Sequence, residues 1–193
     1  MLDGEIKIIE SAVRGEASAF GLLYDHYQPR IYRFILIKVG RREEAEDLTH
    51  QVFLNAWQNI GNYKNLGFPF GSWLYQIARN QIIDYYRTNK VTVDLEKVEQ
   101  YWSETASSET ATDAKMEIER VKIAIRKLKP IHQDIVVMRF VEELSIKEVA
   151  AATKKTEGAI KLLQHRAIKH LKEILEKEGV ETVSIKLIEK EAK

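Results

Sequence analysis

The feature that most constrains the fold is a pair of short amphipathic segments joined by a basic corner within residues 144–171. Ser145 followed three residues later by Glu148 is the signature of a capping box, which predicts a helix beginning immediately after Ser145. The apolar pattern is interrupted at residues 153–155 and resumes after Thr156, a second residue suited to an N-cap. Two helices separated by so short a corner predict a helix-turn-helix.

Positive charge is concentrated on this segment. Seven Lys and Arg residues stand against three Glu between residues 144 and 175, whereas the whole chain of 193 residues has a formal net charge of only +1. Basic charge on the second helix of a helix-turn-helix is typical of a surface that binds a phosphate backbone. The alternative interpretation is an ordinary helical hairpin with a solvated basic face.

The composition excludes several classes of protein. The chain contains no Cys, so it has no disulfide, no thiolate zinc site and no cysteine nucleophile, which fits a reducing compartment. Its apolar runs are far shorter than the roughly 20 residues of a membrane span, and its N-terminus lacks the basic start and apolar core of a signal peptide. We therefore expect a cytoplasmic protein without membrane insertion. Helical periodicity in almost every long segment predicts an all-α fold.

The N-terminal part of the chain is predicted to be helical as far as residue 60. Residues 3–14 form a short amphipathic pattern, and the apolar pattern of residues 17–40 continues across Pro29, which predicts two helices or one helix kinked at the proline. A further helix is predicted at residues 41–60, with Leu54 at the edge of its inward face and a polar stripe on another face.

An aromatic loop and a polar helix follow. Residues 61–73 contain Gly, Pro and four aromatic residues, and Ser72 is predicted to cap the next helix. A loop with so many aromatic side chains is costly to leave in water, and unpaired bases are a suitable flat partner because stacking contributes ~1–3 kcal/mol per base. Aromatic, polar and basic groups therefore occur together between residues 63 and 87.

The chain is predicted to form two small helical domains joined by a flexible acidic linker. Between residues 91 and 119, eight Asp and Glu residues stand against two Lys, with little apolar content. We expect domains at residues 1–90 and 113–178 and a linker at residues 91–112. The tail at residues 179–193 fits either a strand-like alternation or a frayed helix, and its role stays open.

Two motifs in this order resemble one protein family. The run AEDLTHQVFLNAW followed by FGSWLYQIARNQIIDYYR resembles the second conserved domain of bacterial sigma factors. The runs KLKPIHQDIVVMRF and LSIKEVAAATKKTEGAIKLLQHRAIKHL resemble the fourth. With no further domain between them, the chain resembles the small extracytoplasmic-function (ECF) type of the sigma-70 family over about residues 15–175.

The resemblance implies a transcription initiation factor, not an enzyme. Such a protein binds the RNA polymerase core, directs it to promoter DNA and helps to open the minus-ten element. The resemblance implies no catalytic residue, no cofactor and no metal, and it admits an anti-sigma factor as a further partner.

The resemblance also assigns three surfaces, of which the first two lie in the N-terminal domain. The core-binding surface comprises Asp47, Leu48, Gln51, Phe53, Asn55 and Gln58. The melted minus-ten strand is assigned to Tyr63, Lys64, Phe68, Phe70, Trp73, Gln76, Arg79, Asn80 and Arg87. The minus-thirty-five duplex is assigned to the helix-turn-helix at residues 146–165, beginning at Ile146, with Lys154, Lys155, Thr156, Glu157, Lys161, Gln164, His165, Arg166 and Lys169.

Two features of the helix-turn-helix depart from the family pattern. The corner carries Thr153, Lys154 and Lys155 where the family usually has Leu, Gly and a β-branched residue, so the missing glycine is expected to change the turn. Leu163 occupies a position where a basic residue is common, which leaves part of the usual base or phosphate contact open.

Two other functions compete with this interpretation. A stand-alone helix-turn-helix regulator would normally dimerise and bind duplex DNA without polymerase, and the second-domain motif argues against it. A metal or acid–base enzyme would need a cluster of ligands or carboxylates. His165 and His170 lie roughly 140° apart around a helix, with no HExxH motif or carboxylate pair near them.

Overall fold

The computed structural model describes residues 4–64, 67–89 and 113–177, together with Leu2. All regular structure within these residues is helical, so the expected all-α fold with two helical domains is confirmed. The predicted acidic linker at residues 91–112 and the tail at residues 179–193 lie outside the described residues.

The N-terminal domain packs four helices around one aromatic core. These are α1 (Glu5–Val13), α2 (Ala17–Val39), α3 (Arg42–Asn59) and α4 (Phe70–Asn89), with a 3₁₀ turn at Ile60–Asn62 after α3. Helix α2 is central and contacts each of the other three. It is one continuous helix through Pro29, so the alternative of two separate helices is wrong. Fully buried Phe34 meets Tyr75 of α4 edge to face, with ring centroids 5.3 Å apart.

Two details of α3 and α4 differ from the sequence prediction. Helix α4 begins at Phe70, so Ser72 lies inside its first turn and does not cap it. The Ser72 Oγ is buried without a hydrogen-bond partner, while its N–H donates to the carbonyl oxygen of Pro69 at 3.0 Å. Burial of the Phe70 ring and the fixed φ of Pro69 favour the earlier start. Leu54, expected at the edge of the inward face of α3, is 42% exposed.

The C-terminal domain consists of four helices, of which the first three pack around the last. They are α5 (Asp113–Arg126), α6 (Pro130–Val136), which continues into a π turn at Val137–Val141, α7 (Ile146–Thr153) and α8 (Glu157–Lys177). Helix α8 packs against α5, α6 and α7 through a stripe that includes Ile160, Ala167, Leu171 and Leu175. The structure therefore contains the predicted helix-turn-helix, formed by α7 and α8.

The corner of the helix-turn-helix is built without glycine. The capping box is present, because the Glu148 N–H donates to Ser145 Oγ at 3.2 Å and the Ser145 N–H donates to Glu148 Oε2 at 2.8 Å. Lys154 ends α7 in the left-handed conformation, with φ 54° and ψ 43°. Thr156 then caps α8, since its Oγ1 accepts from the Ala159 N–H at 3.2 Å. A lysine thus adopts the conformation that glycine usually supplies.

The two domains are in direct contact. Helix α7 of the C-terminal domain lies along α4, and both α5 and the π turn contact α2. The face of α4 that carries Arg79 is consequently turned toward the C-terminal domain.

We predict that Lys154→Gly will stabilise the protein by about 0.5–1 kcal/mol, because glycine enters the left-handed region without the steric cost of a Cβ. Chemical denaturation of the full chain, followed by circular dichroism, measures the change. Lys154→Ala is the matched control, since it removes the same charge and keeps the strain. Equal stabilisation by both variants would show that charge, and not backbone conformation, is responsible.

Candidate functional site

One face of α3 carries a solvent-exposed stripe. Asp47, Gln51 and Gln58 of the predicted core-binding set are exposed at spacings of four and seven residues, which places them on one side of a helix. Leu54 lies between them on the same side, and sequence reasoning missed it because it was expected to point inward. The stripe therefore combines polar side chains with one exposed apolar side chain, a composition found at protein–protein interfaces.

The other predicted core-binding residues lie elsewhere. Leu48 and Phe53 are buried in the core, where Phe53 packs edge to face on Tyr24 with ring centroids 4.8 Å apart. They hold α3 on α2, so their contribution to the exposed stripe is indirect. Asn55 is half-buried and faces α4.

A pocket of about 420 Å³ opens between the end of α3, the 3₁₀ turn and α4. Three amide side chains, two aromatic rings and one aliphatic side chain line it, namely Asn55, Asn59, Asn62, Tyr63, Trp73 and Ile77. Amides both donate and accept hydrogen bonds, and aromatic rings offer flat faces, which are the two requirements for holding an unstacked base.

Asn59 and Asn62 are additions to the site that the sequence prediction did not contain. The Nδ2 of Asn59 donates to the backbone carbonyl oxygen of Asn55 at 2.9 Å and to its Oδ1 at 3.3 Å, which holds the two amides on one side of the helix end. A signal was available, since three Asn at spacings of four and three residues share one helical face.

The pocket's aromatic wall is supported from behind by Phe70. Its ring lies 5.2 Å from that of Tyr63 and 5.3 Å from that of Trp73, and Tyr63 and Trp73 are 5.1 Å apart. Phe70 is only 1% exposed, so in this structure its ring supports the wall and does not face solvent. Its assignment to direct strand contact came from its place in a predicted loop, whereas it begins α4.

Tyr27 closes the cluster on the side of α1. Its ring packs on Phe70 with centroids 5.7 Å apart, and its hydroxyl donates to the buried carboxylate of Glu5. Burial, together with the Glu5 carboxylate, raises the pKa of Tyr27 far above its usual value. A Cβ at Gly71 would come within 2.9 Å of the Tyr27 ring, so a glycine is needed at this position for α4 to approach α2.

The remaining predicted minus-ten residues differ in their exposure to solvent. Asn80 and Lys64 are exposed, and Gln76 is half-buried. Arg87 is exposed and pairs with Asp84 of its own helix at 3.0 Å. The Phe68 ring lies under the Lys147 amine, 5.6 Å from ring centroid to nitrogen, which joins the loop before α4 to α7.

Arg79 is held by the C-terminal domain. Its Nε donates to Asp134 Oδ2 at 2.6 Å, and the other oxygen, Oδ1, accepts from the amine of Lys38 at the end of α2. Asp134 is 2% exposed and Lys38 is also buried. Burial lowers the pKa of Lys38, and the Asp134 carboxylate opposes that effect.

Glu142, which follows the π turn, makes the second charged contact between the domains. Its buried carboxylate accepts from Arg33 Nε at 2.6 Å, from Arg30 Nε at 3.3 Å and from the Tyr75 hydroxyl at 3.1 Å. The Arg30 guanidinium also donates to the carbonyl oxygen of Glu142. The hydrogen bond to Glu142 raises the pKa of Arg33.

The helix-turn-helix presents a basic surface to solvent. Eight of its predicted contact residues are exposed, namely Lys154, Lys155, Thr156, Glu157, Lys161, His165, Arg166 and Lys169. Gln164 is the exception, because it is buried and its Oε1 accepts from Arg139 Nε at 3.1 Å, which ties α8 to the π turn. Leu163 is half-buried, whereas neighbouring Leu162 is half exposed.

The two histidines considered at the sequence level have different environments. His165 is exposed, whereas the Nδ1 of His170 lies 3.3 Å from the Nδ1 of His132 on α6. Burial lowers the pKa of His132, and nearby His170, Lys129 and Arg166 lower it further. Among the described residues, no group of three His, Asp or Glu side chains is arranged to hold a metal ion, and no helix is long and apolar enough to cross a membrane.

Family comparisons match both halves of the chain. Residues 23–92 match the family model of sigma-70 region 2, and residues 124–173 match that of sigma-70 region 4. These spans contain α3, the pocket and α4 in the first case, and α7 with most of α8 in the second.

Curated relatives include several ECF RNA polymerase sigma factors. BldN of Streptomyces coelicolor is 37% identical over 172 residues, which cover 88% of this chain and 65% of BldN. SigW of Bacillus subtilis is 28% identical over 179 residues, covering 88% of this chain and 95% of SigW. The chain thus spans less than two thirds of BldN but nearly all of SigW.

Two solved structures share the fold at 20% sequence identity. CnrH, in complex with the cytosolic domain of CnrY, has a TM-score of 0.68, and the match covers 88% of this chain and 96% of CnrH. The sigma factor RpoE, in complex with the anti-sigma factor NepR from Bartonella quintana, has a TM-score of 0.60, with 81% and 96% covered.

We predict that Phe70→Ala will lower the free energy of unfolding by about 3–5 kcal/mol, because it removes a fully buried ring from a packed aromatic cluster. Equilibrium denaturation measures the loss, and Phe68→Ala, at a half-buried position of the preceding loop, should cost clearly less. A Phe70→Ala variant as stable as Phe68→Ala would contradict the supporting role of this ring.

Proposed function

The chain belongs to the ECF group of the sigma-70 family of RNA polymerase sigma factors, and we propose that it is a transcription initiation factor that binds polymerase core, directs it to promoters and helps to open them. The observation that carries this proposal is the order of parts in one chain. A region 2 domain with a pocket lined by amides and aromatic rings precedes a region 4 domain with an exposed basic helix.

The exposed stripe of α3 is proposed to bind the polymerase core. Asp47, Gln51 and Gln58 offer polar contacts around Leu54, and the buried ring of Phe53 fixes the helix behind them. A rigid helix with one apolar side chain among polar ones can form a specific interface at small entropic cost.

The pocket beside Trp73 is proposed to hold one unstacked base of the minus-ten strand. Its amides can hydrogen-bond to the edge of a base, and the faces of Tyr63 and Trp73 are available for stacking. Asn80 and Lys64, exposed on α4 and in the preceding loop, would contact neighbouring parts of the same strand. Unstacking a base costs a few kcal/mol, so such a pocket stabilises DNA that is already melted.

The basic face of α8 is proposed to bind the minus-thirty-five duplex. Lys161, Arg166 and Lys169 are exposed on this helix, and the second helix of a helix-turn-helix is the one that enters the major groove. Cations at this position contact phosphates and set the register of the protein on the duplex.

The stripe on α3, the pocket and the basic face of α8 suit a polymerase subunit that is not an enzyme and that works in the cytoplasm, where the polymerase is.

The boundaries proposed for its domains remain residues 1–90 and 113–178, joined by the acidic segment at residues 91–112. An anti-sigma factor is a proposed further partner, because the related RpoE was solved with one. A stand-alone regulator would have no use for the stripe on α3 or for the pocket.

We predict that the double variant Gln51→Ala with Leu54→Ala will weaken binding to purified polymerase core about tenfold or more, which corresponds to about 1.4 kcal/mol. Helix content should stay unchanged, because both side chains point to solvent. Ile6→Ala on α1, which removes a still more exposed apolar side chain, is the control and should bind normally. Unchanged affinity of the double variant for core would rule out this face as the interface.

We predict that the pocket and α8 act at different steps of initiation. Asn62→Ala should spare the closed complex and reduce promoter opening about two- to tenfold, the range expected for one lost hydrogen bond. Lys161→Ala should weaken duplex binding and flatten its salt dependence by about 0.9 units of slope. In transcription assays, a template already melted at the minus-ten element should restore Asn62→Ala but not Lys161→Ala. Rescue of both variants, or of neither, would contradict the division.

A further inference from the structure

The interface between the two domains includes a row of cations from the N-terminal domain that pair with two carboxylates from the C-terminal domain. The cations are Arg30, Arg33 and Lys38 on α2 and Arg79 on α4, and we call them the cationic track. The carboxylates are Asp134 and Glu142 of the C-terminal domain. The three α2 residues extend about 12 Å along the helix, which is enough to meet more than one phosphate of a strand.

Asp134 uses both oxygens, as a bridging phosphate would. One oxygen accepts from the Lys38 amine and the other from Arg79 Nε at 2.6 Å. Two cations converging on two oxygens of one anion are the donor arrangement that proteins use for phosphate as well as carboxylate.

Glu142 meets a donor set of the same kind. Arg33 and Arg30 donate to its carboxylate at 2.6 and 3.3 Å, and the Tyr75 hydroxyl donates at 3.1 Å. Arginine and tyrosine side chains are among the usual donors to the phosphates of nucleic acids. The carboxylate side chain is fully buried, whereas half of the Arg33 side chain remains exposed at the edge of the contact.

This interface is better suited to exchange than to permanent packing. A buried ion pair is no more stabilising than apolar side chains of similar volume, because desolvation offsets its attraction. When the two carboxylates leave, four cations lie together on one exposed surface, and such a cluster attracts a polyanion. Arg79 also lies on α4, the helix whose residues Trp73 and Ile77 line the pocket, so the track and the pocket share one rigid element.

We propose that the cationic track is a binding site for the phosphodiester backbone of the melted promoter strand, and that Asp134 and Glu142 occupy its phosphate positions until the two domains separate. The proposal rests on the proposed function of the pocket. It adds Arg30, Arg33 and Lys38 to the nucleic-acid surface and makes domain contact and strand binding mutually exclusive.

The first experiment uses the free full-length protein and the oligonucleotide dT20, so it does not depend on polymerase. The double variant Asp134→Asn with Glu142→Gln should bind dT20 at least tenfold more tightly than the wild type. Its salt dependence should be steeper by about 0.7 units of slope for each phosphate newly contacted. Adding Arg30→Gln and Arg33→Gln to this variant should remove the gain. Adding Arg14→Gln and Arg42→Gln instead is the matched control: it removes two exposed arginines of the same domain that lie outside the track, and it should leave the gain intact.

Each other outcome overturns the proposal. No gain in the carboxylate variant would show that the carboxylates do not mask a strand site, and a gain that survives loss of Arg30 and Arg33 would place the site elsewhere. Poly-glutamate binding as tightly as dT20 at equal charge would assign the track to an acidic protein segment.

A second measurement covers the case in which the carboxylate variant does not fold. In the complex with polymerase core, Arg33→Gln should reduce the salt slope of binding to a premelted promoter by about 0.7, and Arg14→Gln should not. Equal slopes for the two variants would overturn the proposal. If wild-type protein fails to bind core at all, the proposed function fails, and the dT20 result still decides the track.

Discussion

The arrangement of the two domains depends on the charge of Asp134. A carboxylate that is 2% exposed must be balanced by cations, and both of its partners, Lys38 and Arg79, come from the other domain. Sliding or tilting one domain would leave at least one of these charges buried and unpaired, at a cost of several kcal/mol. Helix α7 is therefore fixed along α4. The ion pairs of Asp134 form only when both domains are correctly placed, so they hold the aromatic core and the helix-turn-helix in one mutual orientation.

The contact between the domains leaves one proposed DNA surface accessible and covers part of the other. While the two domains are in contact, the cations of α8 are exposed to solvent, whereas Arg79 is paired with Asp134. A surface that is already accessible can contact duplex DNA early, while one that must first lose a carboxylate can act only after the domains move apart. The order in which a promoter is contacted would then follow from burial, and the free energy of the domain contact would set the threshold for the later step.

Local features could be predicted from the sequence, and long-range partners could not. The capping box at Ser145 and the N-cap at Thr156 involve neighbours three residues away, so the helix-turn-helix followed from spacing alone. The resemblance assigned DNA contacts to Phe70, in a predicted loop, and to Arg79 and Gln164, on predicted helices. In this structure each is engaged by a residue outside its own helix, Tyr63, Asp134 and Arg139 respectively. Periodicity identifies a face but does not say what covers it.

Helix α3 shows how one element can serve two proposed partners. Residues 47, 51, 54 and 58 follow one another at three- and four-residue spacings and form the exposed stripe, whereas Asn55 and Asn59 lie on a neighbouring side and line the pocket. The buried ring of Phe53 lies on the opposite, inward side of the helix and anchors it to the core. Because a helix of 18 residues is stiff, a partner bound to the stripe restrains the amides of the pocket as well. Core binding would thus reduce the entropy that the pocket loses on accepting a base, a coupling between the sites that requires no change of shape.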